Sequence, residues 1–232
     1  MGLAAKKDIP PQKAFLFIPQ KMIINELVCK KDPICGPVYE KHPEIFKDHF
    51  DAEYLLMIVF VMHHMLIGEK SFWCPFWKII NMSDMPMRWS YYEVCELQDN
   101  YLQREIQTFR DEYFKEFDLI FDTFRNNGYE DVWPGVCGED KIETKNKMEK
   151  LFYKCFNTIV TRCFGWGLPK TSMIPLADCI NHHNVDSTYE FICEKLHEPI
   201  KNLTDSHDKY TIDINEFIED NRKILEIDNM ED

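Results

Sequence analysis

Basic residues are scarce. Twenty-seven lysines and arginines face 40 acidic residues in a chain of 232, for a formal charge of -13. Phosphate backbones are bound by basic faces, so this balance argues against a nucleic-acid partner. It suits a basic protein segment, or simply a solubilising surface. CxxC pairs are absent as well. The nine cysteines are odd in number and scattered, with no Cys/His spacing of the zinc type. A disulfide framework and a structural metal are therefore not expected, and reduced thiols in the cytoplasm or nucleus are. The opening residues, Met1 to Asp8, contain no apolar stretch of the signal-peptide kind, which takes the weight from the glycosylation-like triplets at Asn81 and Asn202. Long hydrophobic runs are missing too. The most apolar one, Tyr54 to Ile67, is broken by His63 and His64 and is shorter than a bilayer span. It is expected to be a buried helix in which both histidines are packing residues, and no membrane partner is expected. No internal repeat is present.

What remains is enough apolar residue content, 45%, for one sizeable core: one domain with an insert, or two small ones. Ala14-Phe15-Leu16-Phe17-Ile18 and Met22-Ile23-Ile24 are short apolar runs punctuated by prolines, which predicts two strands. Asp51 is placed to cap a helix through Leu55, Ile58, Met62 and Leu66. Phe72-Trp73-Cys74-Pro75-Phe76-Trp77 has the composition of an aromatic plug between helices. The longest periodic segment is Tyr91 to Asn126. There Leu102, Ile106, Phe109, Tyr113, Phe117, Phe121 and Phe124 define one helical face, opposite an acidic one. Asn126-Asn127-Gly128 ends it, residues 128–147 read as a polar loop, and a further helix carries Met148, Phe152, Cys155 and Ile159. Lys209 to Ile214 is a candidate strand. From Asp213 onward eight acidic residues face two basic ones, so the tail reads as mobile or as an interaction arm.

Three blocks in order carry a family resemblance. The first is Gly2 to Ile9 with Phe17 to Asn25, and the second is Phe72-Trp73 with Met85-Pro86. The third is Thr161-Arg162-Cys163-Phe164 followed by Ile174-Pro175-Leu176-Ala177-Asp178-Cys179-Ile180-Asn181-His182. Together they resemble the SET-domain protein methyltransferases, in the subfamily of the Rubisco large-subunit lysine methyltransferases, which also contains actin-histidine methyltransferases. The resemblance covers roughly residues 2–192 and implies an α+β fold: a small β-rich module interrupted by a mostly helical insert. The corresponding division is 1–44 for the N-terminal part of the module, 45–147 for the insert, 148–195 for the C-terminal part, and 196–232 for the acidic, partly disordered tail.

The resemblance further implies S-adenosylmethionine as cofactor. Arg162 would take its carboxylate, with Thr161 alongside, and Asn181 and His182 would hold the ammonium end and the adenine edge. Asp178 and Tyr189 would line the substrate pocket. The chemistry agrees with that assignment of Arg162, since a planar guanidinium fork matches a carboxylate bidentately. The partner would be a protein with a basic or lysine-bearing segment. Against the family pattern the chain looks truncated at both ends. The glycine loop before Gly2 and the closing tyrosine strand have no counterpart, so no catalytic residue is assigned. Protein-lysine methylation is the leading expectation. A catalytically inactive scaffold and a histidine methyltransferase are the alternatives.

Overall fold

The computed structural model describes residues 3–9, 16, 18–49, 51–80, 85–165, 168 and 170–180. Their helices are α1 (Glu26–Lys31), α2 (Gly36–Lys41), α3 (Pro43–Phe46), α4 (Ala52–Leu66), α5 (Cys74–Ile79), α6 (Tyr91–Cys95), α7 (Asn100–Asn127) and α8 (Lys141–Arg162). Their strands are β1 (Ile24–Asn25), β2 (Cys163–Phe164) and β3 (Ser172–Met173). This is the expected α+β class. By contacts the residues fall into two units, one essentially Gln20–Asp178, the other Gly2–Pro19 with Cys179–Asp232. In the second unit the Leu3 N–H donates to the Cys179 carbonyl at 3.1 Å. The Ala14–Ile18 run lies mostly outside the described residues, and the acidic tail and the Lys209–Ile214 run lie wholly outside them.

α4 runs through the core of the larger unit. A helix apolar on every side must be covered on every side, and Leu55 through Met62 are all buried. α8 packs most extensively against it, with α1 and α3 on other faces. The expected Asp51 cap is not formed, because the Asp51 side chain bonds no helical N–H. Its backbone N–H donates instead to His49 Nδ1 at 3.2 Å.

The periodic segment from Tyr91 proves to be two helices. A capping box between Ser90 and Glu93 starts α6. The chain then breaks at Gln98, whose φ of 52° lies in the left-handed region. α7 begins afresh where the Asp99 carboxylate accepts from the N–H groups of Tyr101 and Leu102. A second N-cap outweighs continuous periodicity, since it satisfies donors that a helix start leaves open. Ile106, Tyr113, Phe117, Phe121 and Phe124 are buried as the spacing predicts, whereas Leu102 at the new start is exposed. The α7 acidic side is partly consumed by α8, with Asp118–Lys145 at 2.8 Å and Asp122–Lys141 at 3.0 Å.

Gly128, at φ 68°, ends α7 as its sequence predicts. The following loop is shorter than expected, because the Asp140 side chain accepts from Ile142 and Glu143 N–H and starts α8 early. It is also less polar than its composition. Val132, Trp133 and Val136 are buried, and the Trp133 ring lies 4.6 Å from that of Phe124.

The sheet is three antiparallel strands of two residues in the order β1-β3-β2. The expected Met22–Ile24 strand is displaced: Gln20–Met22 form a 3-10 turn, and Asn25 leaves the sheet by accepting the Val28 N–H at 3.1 Å, capping α1. No helix of the described residues is long and apolar enough to cross a membrane.

Candidate functional site around Arg162 and Asp178

Arg162 is the last residue of α8, and Cys163 turns directly into β2. β2 pairs with β3 through Cys163–Met173 and Phe164–Ser172. After β3 the chain turns through Pro175 and Leu176, the latter at φ 71°. An α-turn then brings the Asp178 N–H to the Ile174 carbonyl at 3.2 Å. Side chains outside this segment hold it. Glu53 at the start of α4 accepts the Thr171 N–H at 3.1 Å, and Lys170 pairs with Glu26 at 2.6 Å.

This path brings two of the motif's charges together. Arg162 Nη1 donates to Asp178 Oδ2 at 2.9 Å, with the Asp178 side chain fully buried and that of Arg162 16% exposed. Burying an ion pair is repaid only by good geometry, so each side chain here holds the other's orientation. Asp178, expected at the substrate pocket, is thus found on Arg162.

Thr161 is exposed on α8, and its hydroxyl donates back to the Asn157 carbonyl at 2.6 Å, spending its proton on its own helix. Asn157 itself is 1% exposed, a buried polar residue one turn before Thr161. Sequence reasoning passed over it. The available signal was an amide side chain between the buried Cys155 and Ile159. Burial, with Glu53 and Asp178 nearby, pushes the Cys163 thiol up to about 12, so it offers no thiolate nucleophile at neutral pH. Asn181, His182 and Tyr189 lie outside the described residues. An open groove of about 810 Å³ along α8 is lined by Leu66, Ile142, Leu151 and their neighbours, and by no residue of this site.

An antiparallel sheet of very short strands thus stands beside a large helical body, with Arg162 entering β2 and a short turn after β3. Three solved structures are similar to this chain in fold. The SET domain of LSMT bound to MeLysine and AdoHcy is 22% identical, with a TM-score of 0.62 over 81% of this chain. The same domain bound to Lysine and AdoHcy is 19% identical, with a TM-score of 0.54 over 72% of this chain. Rubisco LSMT bound to AdoMet is 21% identical at a TM-score of 0.54. The chain spans 34% to 39% of the length of these chains. No family model and no curated protein matches it. The resemblance carried by the three sequence blocks is thus borne out as a likeness of fold.

Proposed function

We propose that the chain is, or is a module of, an S-adenosylmethionine-dependent protein-lysine N-methyltransferase. The observation that carries this reading is the Arg162–Asp178 pair, standing at the junction of α8 and β2 in a fold like that of AdoMet-bound Rubisco LSMT. The residues present fit such a donor. A guanidinium carries five N–H donors in a planar fork whose geometry matches a carboxylate. Asp178 is then a positioning residue that fixes the fork. Asn181 and His182 complete the proposed cofactor set, with Thr161 beside it, and Tyr189 borders the substrate, whereas the fully buried Asp178 side chain acts on Arg162.

When bound, S-adenosylmethionine supplies an electrophilic methyl on a sulfonium. The chain's own task is to align an amine with it and to keep water out. A lysine amine, with an ordinary pKa near ~10.4, attacks only when neutral, and a narrow apolar channel favours the neutral form. The acidic surface of Glu105, Asp111 and Glu112 on α7 suits a basic substrate segment.

Calorimetry of the full chain with S-adenosylmethionine and with its demethylated product tests the reading. Both are expected to bind. Arg162→Lys, which keeps the charge but not the fork, is expected to weaken both about ten-fold or more. Mass spectrometry of a basic peptide mixture then assigns methyl groups to lysine, with histidine as the competing acceptor. Absence of uptake of either ligand would leave the non-catalytic scaffold as the function.

A further inference from the structure

α8 carries five lysines, and its surroundings divide them into two rows. Lys141 and Lys145 turn to α7, where they pair with Asp122 at 3.0 Å and Asp118 at 2.8 Å. Lys147, Lys150 and Lys154 form the other row. Positions three and four apart share one face of a helix, and these three line the open groove along α8. Among the described residues no ion pair engages any of them. Glu149, next to Lys150 in the chain, is spent elsewhere, on Arg88 and the Tyr113 hydroxyl. Carboxylates outnumber cations by 40 to 27 in this chain, so three neighbouring lysines without one reverse its charge locally. Like charges four apart on a helix also repel, as Lys150 and Lys154 do, and an anion between them relieves that cost.

The rest of the groove is largely apolar. Leu66, the last residue of α4, and Leu151 are half-buried, Met148 is buried, and Ile142 is 75% exposed. The acids of the groove stand at its far end, where Asp140 caps α8 and Glu143 occupies the first turn. From Ile142 to Lys154 the helix runs about 18 Å, and both the charge and the apolar surface follow that length.

We propose that this groove docks an acidic segment of a partner protein. Its carboxylates pair with Lys147, Lys150 and Lys154, and its apolar side chains cover Ile142, Leu66 and Leu151. Exposed ion pairs are weak singly, so the apolar cover supplies affinity while the lysines set orientation and choice of partner. A nucleic acid or an anionic membrane surface shares the charge but not the fit. Phosphates gain nothing from an apolar floor, and a net charge of -13 repels an extended polyanion. The groove shares no residue with the site of Arg162 and Asp178, so this contact lies beyond the methyl-transfer reading.

Fluorescence anisotropy of the full chain tests the proposal. The probe is a labelled peptide of about 12 residues, rich in glutamate, with leucines three and four positions apart. Saturable binding is expected, weakened by added salt. Lys147→Glu, Lys150→Glu and Lys154→Glu together are expected to weaken it more than about ten-fold, and Ile142→Ser about five-fold. The exposed set Lys21→Glu, Lys31→Glu and Lys47→Glu changes the net charge equally and is expected to leave binding intact. A peptide with serine in place of leucine is expected to bind about ten-fold more weakly. No saturable binding to the wild type, equal binding by the groove and control variants, or equal binding of the serine peptide overturns the proposal. So does binding of a thymidine oligonucleotide or of phosphatidylserine vesicles that the groove variant loses, which assigns the surface to phosphate. Should the glutamate variant not fold, Lys147→Gln, Lys150→Gln and Lys154→Gln together are read in the same way. Methyl-donor calorimetry of the groove variant is expected to match the wild type, so the failure of either reading leaves the other standing.

Discussion

Arg162 and Asp178 are coupled through a contact in which the carboxylate has no access to water. Arg162→Ala removes the cation from that buried carboxylate and is expected to cost about 3–5 kcal/mol, read by urea unfolding, whereas replacing both partners by Arg162→Met and Asp178→Asn together costs clearly less. A larger loss for the double variant would show that the pair is not the stabilising unit. Glu116 sets a second expectation. Burial, then repulsion from Asp51 and Glu112, raises its carboxyl from 4.5 to about 7. A raised folded-state value means that the stability from the protonated acid is complete below pH 4.5 and is lost as pH rises through about 7. Glu116→Gln removes that loss. The variant is expected to melt like the wild type near about pH 4 and to be more stable by on the order of 2 kcal/mol near about pH 8. At this scale the pairing of Arg162 with Asp178 was not legible, because the motif string set Arg162 at a cofactor carboxylate and Asp178 at a substrate pocket, and only the turn after β3 brings the two side chains together. Asn157 was not legible, since burial of one amide on a long helix follows from packing and leaves no spacing signature. His63 and His64 were read as packing residues and are buried, while nothing in one segment reveals that a remote turn brings Asp32 to His64.

The elements follow local chemistry more closely than periodicity. α7 and α8 are fixed by what stands at their ends: Asp99 and Gly128 for one, Asp140 for the other. Gly128→Ala forces a Cβ into left-handed backbone at φ 68° and is expected to cost about 1 kcal/mol, as is Asp140→Ala, which leaves two N–H groups without their acceptor. Thermal melts of the two single variants and the double check this; additive losses are expected, since the caps share no partner. The same chemistry explains where sequence reading went astray. The start of α8 was announced by Asp140 and by Glu143 three residues on, but its charged first turns resemble a loop in composition. The break at Gln98 was hidden because apolar spacing runs across it. Strands two residues long fall below any alternation test, so β1 was misplaced by a residue or two, and only the motif resemblance pointed to a sheet at β2 and β3.

At the scale of the molecule the α+β class and the SET-like layout were readable from the order of the blocks, while the burial of Trp133 in a charged loop was not, being a product of long-range packing. The proportions of the larger unit have a further consequence. α4 is wrapped on all sides, but among the described residues β1 and β2 are joined only through Ser172 and Met173. A ladder that short opens without disturbing the helices. Amide hydrogens of Cys163, Phe164, Ser172 and Met173 are therefore expected to exchange with deuterium through a low-energy excursion, while those at the centre of α4 exchange only on global unfolding. Equal protection of the two regions would contradict this. On that expectation the backbone that presents Arg162 and Asp178 opens more readily than the helix α4 against which its unit is built.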